Sequence, residues 1–98
     1  MKKIAKNLTL ALLFAAFGGV ANAACFADYK AKRDNPLRLH YGVIKLSDGL
    51  CKDVKGADKI AATRLSDSEW QLLNVMSLFD DKGLKKRQDS AGDYFLRY

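Results

Sequence analysis

Trp70-Gln71-Leu72-Leu73-Asn74-Val75-Met76-Ser77-Leu78-Phe79 is the stretch whose reading decides the fold. It is the longest apolar run outside the N-terminal segment, and it holds the one tryptophan. Two readings compete. Ser66-Asp67-Ser68-Glu69 just before it has the form of a helix capping box, with Ser66 at the N-cap and Glu69 three residues on, and Gln71, Asn74 and Ser77 fall near helical spacing. As a strand, it would send Trp70, Leu72, Met76 and Leu78 to one face and Leu73, Val75 and Phe79 to the other. A run apolar on both faces fits a strand covered on both sides. On pattern alone the two readings balance.

Working outward, residues 1–23 form an export signal: Lys2, Lys3 and Lys6 make a positive lead, Leu8 to Phe17 an apolar core, and Ala21-Asn22-Ala23 a cleavage site of the A-x-A kind. The apolar core is shorter than the roughly 20 residues a membrane span requires. A periplasmic or secreted location follows. Of 17 Lys plus Arg against 11 Asp plus Glu, three lysines belong to the signal, so the remainder carries 14 − 11 = +3. That balance is ordinary for a small domain and calls for no nucleic-acid partner.

Residues 24–98 suffice for one domain with a marginal core, in which a covalent staple helps. Cys25 and Cys51 are the only cysteines, and an even pair behind an export signal reads as a disulfide. The competing use of Cys25 is lipidation, which would place the protein on a membrane surface; Asn22 stands where a lipoprotein signal usually has Leu.

Residues 24–36 show no clear period and read as an irregular arm ending at the turn-forming Asn35-Pro36, which leaves 37–98 as the domain proper. Leu37 to Leu46 is the clearest strand: Leu37, Leu39, Tyr41 and Val43 alternate with Arg38, His40 and Gly42. Gly42, beside a slip in phase, suggests a bulge or a close backbone approach. A helix follows from about Val54 or Ala57 to Leu65, with Val54, Ala57, Ile60, Ala61 and Leu65 on its apolar stripe. Asp80-Asp81-Lys82-Gly83 is a turn, and Asp93 to Tyr98 alternates into a terminal strand.

Four segments carry a resemblance: Ala27-Asp28-Tyr29-Lys30-Ala31-Lys32, Pro36 to Val43, Trp70 to Val75, and Ala91 to Tyr98. Through them the chain resembles small uncharacterised exported proteins of proteobacteria. Trp70-Gln71-Leu72-Leu73-Asn74-Val75 also looks like the Gly-Trp-Glu-Leu-Val-x-Val segment that enters a strand in small β-α-β-β domains of unknown function. Glu69 stands where that Gly would be, and Gln71 where the Glu would be. The resemblance implies a strand at 70–79 and no activity. The expected fold is therefore α+β: a small three-stranded sheet in the order β-α-β-β, one main helix packed on a face, and one disulfide.

Candidate functional residues are few. His40 is the single histidine, and with no free cysteine and no close carboxylate cluster it makes neither a metal site nor a triad. Lys82, Lys85, Lys86 and Arg87 form the one basic cluster, a candidate binding surface together with His40, although Asp80, Asp81, Asp89 and Asp93 flank it. Phosphate-binding loops, nucleophile elbows and paired carboxylates at catalytic spacing are absent. The expectation is an exported, non-enzymatic domain with no cofactor or metal that binds a protein or envelope component. Alternatives are a structural or accessory subunit, a module anchored by lipid at Cys25, and a small enzyme using His40.

Overall fold

The computed structural model describes residues 24–98, so the export signal expected at 1–23 lies outside the described residues. Strand β1 (Cys25–Arg33) starts at the disulfide and turns at Asp34–Leu37, through a cis Asn35–Pro36 bond, into strand β2 (Arg38–Leu46). The hairpin pairs in unbroken antiparallel register, from Arg33 opposite Arg38 to Cys25 opposite Leu46. A short 3-10 turn at Asp48–Leu50 brings Cys51 back to Cys25, with Cα atoms 5.3 Å apart. Helix α1 (Val54–Asp67) follows, then strand β3 (Gln71–Phe79) and the short helix α2 (Lys85–Ala91). The three strands pair antiparallel, and the sheet order is β2-β1-β3. The result is a small α+β domain of three strands, one main helix and one disulfide.

The segment expected to be an irregular arm is the central strand, so the strands and main helix run β-β-α-β and the domain starts at the disulfide. Its alternation was hidden by alanine, a poor strand former on intrinsic preference. Cys25, Ala27, Tyr29 and Ala31 point to one face, where they are essentially inaccessible; Phe26, Asp28, Lys30 and Lys32 point to the other. Alanine is there because the helix comes close. Ala57 and Ala61 of α1 meet that face beside Leu65, so small residues on both elements allow a tight approach. Ile44, Leu46 and Trp70 complete this core, with Leu72, Val75 and Leu78 of β3 packed against it.

Helix α1 takes the earlier of the two starts that its sequence left open and runs two residues past Leu65: Asp53 is the N-cap and accepts from the Gly56 amide at 2.9 Å. It ends in a two-bond cap, Glu69 N to Ser66 O at 3.0 Å and Trp70 N to Leu65 O at 2.9 Å, which is the Schellman arrangement. That cap needs a left-handed residue, and Glu69 takes it at φ 65°. Ser66 thus belongs to the last turn of α1 rather than the start of another helix, and 71–79 is strand.

The expected terminal strand does not form. Gly92–Tyr94 is a 3-10 turn, and Leu96 sits at φ 57°, which interrupts an extended run. What survives is one parallel bridge between Phe95 and Val43, with Leu96 N donating to Val43 O at 2.9 Å. This segment lies along the outer edge of β2, with Tyr94 and Tyr98 packed against the α1-side core and Phe95 against a second core of Phe26, Val43 and Ala91 on the other face.

Candidate functional site

Strand β2 is inverted relative to its composition. The half carrying His40 and Gly42 faces the helix and is covered, whereas Leu39, on the apolar half, is 65% exposed. Gly42 makes this orientation feasible: a Cβ there would lie 2.6 Å from the Tyr29 ring, so its bare backbone gives the ring its place. No bulge occurs in this hairpin. The close approach is the reason for the glycine.

His40 fills the space at the end of the core. Its ring stacks on Tyr94 at 3.8 Å, meets Trp70 edge-on at 4.3 Å, and shares a 2.9 Å hydrogen bond between Nε2 and the Tyr29 hydroxyl. Nδ1 is buried with no hydrogen-bond partner. Burial, then the nearby Arg33 and Arg97 charges, push the imidazole down to about 4, so the ring is neutral at ordinary pH. Burial, with Tyr98 and Tyr94 adding to it, also holds the Tyr29 hydroxyl well above its usual range. Arg33 closes the cluster from the side. It donates to Ser68 O at 2.7 Å and Glu69 O at 3.2 Å, the carbonyls at the end of α1, and lies 4.1 Å over the Trp70 ring.

On the opposite face Asp28 is buried yet fully engaged. It accepts from Tyr41 Oη at 2.8 Å, Ser77 Oγ at 2.7 Å and Arg87 Nε at 3.0 Å. Burial alone would raise its carboxyl, but the bonds from Ser77, Tyr41 and Arg87 and the Arg87 charge outweigh that, and its pKa lies below the usual value. Burial and then the bond and charge of Asp28 push Tyr41 up to about 12. Arg87 also donates to Gly83 O at 2.7 Å and stacks 3.9 Å over Phe79.

The expected binding residues therefore do not come together. Arg87 is half-buried and holds the sheet to α2, while Lys82, Lys85 and Lys86 stay exposed around the start of that helix. His40 is packed away from all of them. Among the described residues no group of three or more His, Cys, Asp or Glu converges in a way that could hold a metal.

Two hollows are open: one of about 460 Å³ between α1 and the start of β3, walled by Lys59, Ala62, Trp70 and Leu72, and a smaller one at the far end of the α2 face. Lys30, Ala31, Leu39, His40, Tyr41 and Leu73 line this smaller, shallow hollow of about 280 Å³. Leu39 and Leu73, 65% and 47% exposed, form its apolar walls, and Lys30 stands between them on the central strand. Leu73 is there because β3 bulges. Lys32, Lys30 and Asp28 pair with Gln71, Asn74 and Ser77, so the partner advances by two where β3 advances by three. Leu73 and Met76 are the extra residues, about half exposed, and the bulges turn apolar side chains toward solvent. Sequence reasoning missed this site. Its signal was the three-residue spacing in β3 combined with Leu37 and Leu39 beside buried His40.

The chain matches no protein-family model, and no curated protein or solved structure matches it either.

Proposed function

We propose that this protein is an exported, disulfide-stapled binding domain that docks another protein on the open end of its sheet. The observation that carries this reading is the pairing of Leu39, largely exposed, with Leu73, about half exposed, around one lysine on a face whose other end is covered. Apolar side chains held on a rigid sheet and rimmed by polar groups are characteristic of interaction surfaces. Export is supported by the signal at 1–23, by the resemblance to exported proteins, and by the disulfide, which suits an oxidising compartment. With its sulfur bonded to Cys51, Cys25 has no thiol to offer for lipidation. Although His40 borders the hollow, both of its ring nitrogens are buried, which supports a non-enzymatic role, because a proton-transfer group needs access to the reacting atom.

The test is a photo-reactive residue at position 39 in the native host, with position 55 on exposed helix α1 as control. A discrete adduct from 39 and none from 55 supports the reading; no adduct, or the same adducts from both, removes it.

A second reading, an accessory subunit held permanently in an assembly, is favoured by the uncharged edge strand β3. Elution at the size of the isolated chain from a gently lysed envelope counts against it.

A further inference from the structure

The open face carries a charge pattern that selects its occupant. Lys30 is exposed, and no carboxylate lines the hollow around it. The neighbouring acid on the same face, Asp28, is neutralised by Arg87 and hydrogen-bonded by Tyr41 and Ser77. Lys32 is paired with Asp34 at 3.5 Å. Lys30 has no ion-pair partner among the described residues, and its ammonium stands where an incoming carboxylate would be partly shielded from water by Leu39 and Leu73. The Tyr41 hydroxyl is committed to Asp28, so its ring offers apolar surface.

Resting on the docking reading above, we infer that this face takes an acidic segment of another protein, one carboxylate meeting Lys30 and flanking apolar side chains covering Leu39 and Leu73. A second copy of the chain fits badly, because a two-fold contact on this face brings Lys30 against Lys30. A free small molecule also fits badly. The hollow, about 280 Å³, lies below the roughly 300–1,000 Å³ of ordinary small-molecule sites, but it accommodates one or two inserted side chains.

The test uses two probes, the peptide amides acetyl-Leu-Glu-Leu-Glu-Leu and acetyl-Leu-Lys-Leu-Lys-Leu, titrated into isotopically labelled protein expressed from the full chain, with amide shifts as the readout. The acidic probe is expected to move Lys30, Leu39 and Leu73, with the lysine probe about tenfold weaker, the usual size of one charge contact. Lys30→Glu should reverse that preference, and Lys30→Gln should abolish it, keeping the answer available if the reversed charge disturbs the sheet. Equal response to both probes, or no response, overturns the inference. Shifts at these residues with phosphatidylglycerol vesicles but not the acidic peptide overturn it in favour of a lipid surface. If position 39 still gives its discrete adduct while the acidic probe fails, the inference falls and the docking face stands; loss of both removes both.

Discussion

Lowering the pH should weaken this protein through one side chain. An unfolded histidine titrates near 6.5, and the folded His40 near 4. Because the folded ring holds its proton less tightly, the unfolded state gains protons first as pH falls. The stability His40 protects is complete above about pH 6.5 and is lost on the way down to its folded pKa. At 1.36 kcal/mol per unit, the loss is about 2 kcal/mol by pH 5 and about 3 kcal/mol by pH 4. A domain of this size has a stability of roughly 4–11 kcal/mol, so the effect is large. The structural cause is plain: protonation places a cation beside Arg33 and Arg97, and the proton added at Nδ1 or Nε2 has at most the Tyr29 hydroxyl to meet. The assay is urea unfolding followed by Trp70 fluorescence at pH 7, 6, 5 and 4, for the native chain and for His40→Phe. The native chain should weaken steeply between pH 6.5 and 4 while the variant changes little over the same window. Equal slopes for both would refute the assignment of acid sensitivity to His40.

The remaining expectations concern stability. Replacing Cys25 and Cys51 by Ala should lower unfolding free energy by about 3.5 kcal/mol, the chain-entropy value for residues 26 apart, read as a shift in urea midpoint. Glu69→Gly should raise it by about 0.5–1 kcal/mol, since glycine takes the left-handed cap at φ 65° without strain; thermal unfolding would show it. Asp28→Ala should cost about 3 kcal/mol, because it strands Arg87 and leaves the Tyr41 and Ser77 hydroxyls without their acceptor, and adding Arg87→Met should recover part of the loss in a double-mutant cycle.

Much of this architecture was visible in the residues. The second strand and the cysteine pair occur where pattern and chemistry placed them, the helix takes the earlier of the two starts its pattern allowed, and the strand at 71–79 follows the resemblance rather than the pattern. The first strand was not legible because alanines, which carry little hydrophobic signal, mark the closest helix–sheet contact. The ambiguity of 70–79 has a geometric origin. Two bulges stretch the side-chain repeat from two to three, so Leu72, Val75 and Leu78 face the helix while Gln71, Asn74 and Ser77 face away. A spacing of three resembles a helical repeat, yet the chain is extended. The candidate site stayed hidden for a related reason: polarity suggested that Leu39 would be inside and His40 outside, and aromatic packing of His40 with Tyr29, Trp70 and Tyr94 reversed that order. Arg87 appeared to belong to a basic patch because its acid, Asp28, lies 59 residues away.

The bond from Leu96 N to Val43 O gives the sheet an asymmetry of valence. Along β2, the last residues of the chain occupy an acceptor that a foreign strand would otherwise use. Along β3, the nine residues from Gln71 to Phe79 contain no charge and no proline, and their outer side has no strand partner among the described residues. A molecule with one such edge can join another and then stop. With two, it can add copies end on end. The short carboxy-terminal segment therefore caps one of the two edges, and its removal would leave both edges of the sheet open to an added strand.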